Sequence, residues 1–183
     1  MKENIIEGKS LERYFDFNDA LLEFHKLFNV ENKDERSIAI LGGTFLELAL
    51  ENILKEFLPD NSKQVEELFK FPQPLSNFSS KISFCYSLGL IDKLIYKDLT
   101  LVRKIRNEFA HNLYVSFENS NIKDWTFELK FYKVSMMNNI PNGISALNIY
   151  QVAVNQLITN LNGCISIAKS QKRKTLDNLE KYL

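Results

Sequence analysis

The segment from Ser37 to Leu58 most constrains how this chain can fold, because its apolar residues run almost all the way round a helical wheel. Such a helix is stable in water only when other elements surround it, so the rest of the chain must supply amphipathic partners. Leu21, Leu22, Phe24, Leu27 and Phe28 recur at three and four residues and predict a first helix over Phe15 to Phe28. Asn32 to Arg36 is a charged break. Pro59-Asp60-Asn61 stops the central helix, since proline lacks the N–H that would continue it. Gln64 to Phe71 reads as a short helix, and Phe71 to Leu75, with two prolines, as an extended linker. Ser76 to Leu88 follows, capped by Ser76 or Asn77, with Gly89 placed as its terminating glycine. Asp92 can cap a short turn before a long helix over Lys97 to Leu113. Asn121 to Phe131 is a weaker helix with Trp125 and Leu129 on one face, Met136 to Gly143 a loop, and Ser145 to Ala168 a clear final helix that the polar tail Lys169 to Leu183 can extend.

Only 6 glycines and 4 prolines in 183 residues are too few for the tight turns of a sandwich or barrel. The expected fold is an all-α helical bundle of about six to seven helices in one domain, residues 1–183. Lys plus Arg and Asp plus Glu each number 23, so no global field steers the chain onto nucleic acid, and any such contact requires a local patch. Cys85 and Cys164 lack metal-ligand spacing and read as small buried hydrophobes in a reducing compartment; no metal and no cofactor are expected. The polar start, Met1 to Ser10, has no apolar signal region, and the apolar run Ile38 to Leu50 is too short to span a bilayer. A cytoplasmic protein without a membrane segment is expected.

Chemistry concentrates on the long helix. With Arg106 at zero on a wheel of about 100° per residue, Leu99, Val102, Phe109, Ala110 and Leu113 fall within about 60° of it. Arg106 thus lies on the apolar stripe, where an unpaired guanidinium costs several kcal/mol, and it needs a carboxylate, a partner subunit or a bound anion. Asn107 and His111 share one shoulder of the helix, with Arg103 between them and the stripe. Two guanidiniums, an amide and an imidazole on one side can hold a phosphate. The chemistry this suits is RNA cleavage without metal: an imidazole of ordinary pKa near ~6.5 moves protons at neutral pH, arginine neutralises phosphoryl oxygens, and Asn107 orients them. The one other histidine, His25, falls on the first amphipathic helix, so a symmetric dimer bringing two His111 side chains to one cleft would supply the second acid or base. Ile40, Thr44, Glu47 and Glu51 align along one face of the central helix, with Gly43 beside them to admit a close neighbour; Glu47 or Glu51 is the candidate partner of Arg106 or Arg103. The plainer alternative makes Arg106 a core ion pair and His111 a cation at a helix C-terminus. The basic cluster Lys169, Lys172, Arg173 and Lys174 reads as a solvated helix end, with contact to RNA as the alternative.

Pro74-Leu75-Ser76-Asn77-Phe78-Ser79-Ser80-Lys81-Ile82, then Tyr86-Ser87-Leu88-Gly89-Leu90-Ile91, then Asp98-Leu99 and Val102-Arg103-Lys104-Ile105-Arg106-Asn107-Glu108-Phe109-Ala110-His111 resemble the signature of the mannitol-operon repressor (MltR) family. Ser116-Phe117-Glu118-Asn119 with Ile122 to Leu129 resembles the family's next segment, and the likeness covers Ser37 to Ala168. That family is similar to the HEPN superfamily, helical dimers in which an Arg, a polar residue and a His form a ribonuclease site. The resemblance implies a HEPN-like core over 37–168; the N-terminal helix in 1–36 and the polar tail in 169–183 lie outside it and are read from the residues alone. It implies Arg106, Asn107 and His111 as catalytic residues, with Glu47 as the acidic residue of an earlier helix, and a homodimer acting on RNA as a toxin or defence effector held by an antitoxin. The alternative it implies is an MltR-type non-enzymatic transcriptional regulator or interaction module that works through a protein partner or through RNA. No helix-turn-helix with a basic recognition helix is present to bind an operator directly.

Overall fold

The apolar segment forms one helix, α1 (Glu35–Phe57), which begins where Asp34 accepts a hydrogen bond from the Ser37 backbone and ends before Pro59. The computed structural model describes residues 34–60, 62–136 and 140–175. The helix expected over Phe15 to Phe28, with His25, lies outside these residues, as does the end of the tail. Six further helices follow: α2 (Ser62–Leu68), α3 (Phe78–Ser87), α4 (Lys93–His111), α5 (Ser120–Glu128), α6 (Phe131–Ser135) and α7 (Ala146–Ser170). There is no strand among the described residues. The protein is an all-α bundle.

Helix α1 runs through the middle. It packs chiefly along α7 and also against α4 and α3, while α6 and α5 complete the far side of α7. Ile38, Leu46, Leu50, Ile53 and Leu54 of α1 are fully enclosed, as are Tyr150, Val154, Leu157 and Leu161 of α7. Each such side chain contributes about 1.5–3 kcal/mol relative to exposure. At 23 residues α1 has the length and composition of a membrane span, longer than the apolar run alone suggests; in this fold it is the core helix of the bundle. The chain returns to its end at the tail, where the Arg173 N–H donates to the Phe57 carbonyl and Lys172 meets Asp60 at 2.8 Å. Part of the basic cluster therefore closes the C-terminus of α1.

Three segments differ from the sequence reading for identifiable reasons. Asp92 caps α4 itself, accepting from the Ile95 N–H at 2.8 Å, so the short turn and the long helix are one element starting at Lys93. The helix expected over Asn121 to Phe131 ends at Glu128 as α5, and an unexpected short helix, α6, starts at Phe131. The break falls where buried Asp98 of α4 accepts the N–H groups of Lys130 (2.7 Å) and Phe131 (2.9 Å), a tertiary cap that starts α6. The linker after α2 is not extended: Leu75 N donates to Leu68 O and Gln73 N to Lys70 O, folding it into turns. Asn77 caps α3, and Gly89 follows it with φ 71°, the conformation for which glycine has no steric cost.

Candidate functional site

The C-terminal half of α4 carries the candidate residues, and α1 fixes its position from both ends. At the start of α1, the Arg36 guanidinium donates to the carbonyls of Phe109, Asn112 (2.6 Å) and Leu113 (2.8 Å). A cation in the first turn of α1 is disfavoured by its own helix dipole; here it serves the C-terminus of another helix, where carbonyls lack partners. Beside it, Glu35 accepts the Phe117 N–H at 2.9 Å and anchors the loop that leaves α4. Phe117 in turn stacks between Phe109 and Tyr150, with ring centroids 5.0 and 5.1 Å away.

Midway along α1, Gly43 lets α4 approach closely. A Cβ on Gly43 would stand 2.7 Å from Arg106 Cγ and 3.0 Å from its Cβ, so the stem of the arginine occupies the space that the glycine leaves. The guanidinium then reaches Glu47, one turn further along α1, with Nη2 3.5 Å from the carboxylate. Its Nη1 donates to Asn107 Oδ1 at 3.3 Å. The Arg106 side chain remains 30% exposed while Glu47 is 17% exposed, so the pair sits at the rim of the core. Below it the Tyr150 hydroxyl donates to the Ala39 carbonyl at 3.0 Å. Burial pushes that phenol far above its ordinary range, against the opposing pull of the nearby Arg106 charge.

Glu47 is shared. Lys81 of α3, whose side chain is only 6% exposed, lies 3.2 Å from Glu47 and 2.9 Å from Glu51. Glu51 also meets Lys55 at 2.8 Å, and Lys55 meets Glu66 of α2 at 3.2 Å. Charges thus alternate from Arg106 to Glu66 across the outer flank of α1. Desolvation is the largest single influence on Glu51 and raises its pKa, but the hydrogen bonds and charges of Lys55 and Lys81 together outweigh it and hold the carboxyl below its ordinary range.

The fold therefore brings together Arg106, Asn107 and Glu47. It places Glu51 with lysines instead of an arginine, and Arg103 has no carboxylate within ion-pair distance among the described residues. His111 is the last residue of α4, exposed, with no hydrogen bond to a described side chain. Lys81 and Arg36 escaped the sequence reading. Lys81 had a signal: Phe78, Ile82 and Cys85 surround it at helical spacing, the argument that singles out Arg106. Arg36 had a fainter one, as a base in a helix's first turn.

No protein-family model matches this chain, and no curated protein does. Solved structures share its fold. A chain of the X-ray structure of the MtlR–HPr complex from Escherichia coli is 22% identical with a TM-score of 0.53, covering 84% of this chain and 98% of that one. The crystal structure of YggD from Shigella flexneri 2a, described as a possible transcriptional regulator, is 14% identical with a TM-score of 0.56, covering 83% and 98%. The chain has an MltR-like fold.

Proposed function

We propose that this protein is a non-enzymatic regulator of MltR type that acts by binding another protein. The observation that carries this reading is the ion pair between Arg106 and Glu47: the guanidinium that would clamp a phosphate is already neutralised within one chain, and Gly43 moulds α1 around its stem. Such a pair positions α4 against α1 and leaves the arginine little free charge for an oxyanion. The shared fold supports the same reading, since one neighbour was solved as a complex with HPr and the other is described as a possible transcriptional regulator. HPr is accordingly the first protein partner to try.

One observation favours a second reading. Arg103, Asn107 and His111 lie on one side of α4, half-buried or exposed, and no carboxylate neutralises Arg103 among the described residues. A HEPN-like homodimer that joins two such faces would set two His111 side chains at one phosphodiester, a metal-independent ribonuclease. Incubating purified protein with RNA and, separately, titrating it with purified HPr decides between the two. The regulator reading expects saturable binding of HPr and no cleavage above background. RNA cleavage that survives chelator and disappears in His111→Ala, with the helical circular dichroism unchanged, would establish the ribonuclease instead.

A further inference from the structure

Helix α4 turns one face away from the core, and that face carries cations at coiled-coil spacing. Lys93, Lys97, Thr100, Lys104, Asn107 and His111 succeed one another at four, three, four, three and four residues, the interval at which one helix meets another along a straight seam. Lys93, Lys97, Lys104 and His111 are exposed, and half-buried Arg103 stands beside them. None of these five has a carboxylate within ion-pair distance among the described residues; Lys104 lies over the Trp125 ring at 5.6 Å. The two acidic residues of α4 are elsewhere engaged: Asp98 is buried under α6, and Glu108 accepts from Asn112 Nδ2 at 2.5 Å. In a chain with 23 Lys plus Arg and 23 Asp plus Glu this is a one-sign strip from Lys93 to Lys104, about 17 Å long at helical rise, continued by uncharged Asn107 and by His111. It ends on apolar side chains left in water, Leu113 at 81% and Tyr114 at 98% exposure, beside a cleft of about 270 Å³ that also involves Val115, Asn119 and Ile122.

We infer that the outward face of α4 is the docking surface for an acidic amphipathic helix of a partner protein. Carboxylates at heptad spacing on that helix meet Lys97, Lys104 and Arg103, and an apolar residue at its end covers Leu113 and Tyr114. The inference rests on the regulator reading and names the chemistry of its partner. Charge complementarity selects the occupant. A second copy of this chain laid on the same face would bring two strips of the same sign together, a like-charge juxtaposition. Nucleic acid fits less well because the strip is one helix wide: α5, packed alongside, exposes Asp124 and Glu128, and a broader polyanion would meet them.

The test uses the full chain and a fluorescent synthetic helix with Glu at heptad spacing and one terminal leucine pair, read by anisotropy. A peptide of the same composition in scrambled order and a single-stranded RNA of equal charge are run beside it. The ordered peptide is expected to bind, to weaken by about tenfold or more in the Lys97→Glu/Lys104→Glu variant, and to weaken as salt shortens the Debye length from about 30 Å at 0.01 M towards about 3 Å at 1 M. A Lys97→Gln/Lys104→Gln variant, expected to lose less, guards against misfolding, and circular dichroism checks both. No peptide binding, unchanged binding in the Glu variant, equal binding of the scrambled peptide, or RNA that competes and shows the same loss would each overturn the inference. If it falls while HPr still binds, the regulator reading stands with another surface; if HPr also fails to bind, that reading falls too.

Discussion

Helix α4 has two sides, and they treat charge in opposite ways. On the side facing α1, each cation has a structural partner: Arg106 has Glu47, Lys81 has Glu47 and Glu51, and Arg36 has three carbonyls at the helix end. On the side facing solvent, Lys97, Arg103 and Lys104 have no carboxylate among the described residues. Inside, low dielectric makes an unpaired charge too costly to keep, so folding requires compensation. Outside, water compensates, and position is left for other purposes. Residues of the inner side should therefore matter for stability, and those of the outer side for recognition.

The largest expected break of this contrast is Lys81→Ala. Removing an ammonium that is 6% exposed leaves Glu47 with Arg106 alone and Glu51 with Lys55 alone, and we expect a loss of about 2–3 kcal/mol in urea denaturation. A loss under about 1 kcal/mol would make the inner row no more important than a surface pair. Next comes Gly43→Ala, which forces α1 away from Arg106. About 1 kcal/mol of helix propensity is recovered, yet a net destabilisation of about 1–2 kcal/mol is expected. Gly163→Ala, on α7 with nothing within 4 Å of the added methyl, is the control and should gain up to about 1 kcal/mol. If both alanines stabilise, the close approach of the helices is not what Gly43 provides.

Acidity sharpens the contrast within the interior. Glu51, held below its ordinary 4.5 by Lys55 and Lys81, adds stability that is present above that pH and lost as pH falls through its folded value. Asp98 runs the other way. Desolvation raises it above 3.8 despite the N–H groups of Phe131 and Lys130, and its Oδ1 has no hydrogen-bond partner among the described residues. The folded state binds its proton more tightly, so its contribution declines as pH rises from 3.8 through the folded value. Asp98→Asn retains an oxygen for both N–H groups and should flatten that decline; an unchanged slope of stability against pH would show that Asp98 does not titrate in this way. The smallest effect is expected outside. Lys97→Ala and Lys104→Ala should each alter stability by less than about 0.5 kcal/mol, and a larger loss in thermal unfolding would make the outer face structural after all.

The architecture was legible because it depends on local chemistry. The all-round apolar Ser37 to Leu58 had to be central, a cap at Ser76 or Asn77 and a capping Asp92 were readable, and Gly89 had to end α3, since each follows from backbone and side-chain preferences within a few residues. Arg106 was legible as a cation on the core-facing stripe, and Gly43 as a place of close approach, because helical periodicity shows which face each occupies. Three matters needed the tertiary structure. Glu47, not Glu51, reaches Arg106, because the crossing of α1 and α4 at Gly43 sets which turn of α1 lies opposite. Lys81 enters the same charge row from α3, and Arg36 crosses to the end of α4, contacts between residues 34 and 77 positions apart in sequence. Asp98 splits α5 from α6 by offering a cap that no local pattern contains. Periodicity can state that a charge is buried; which partner meets it depends on helix crossings, and those are set by packing across the whole bundle.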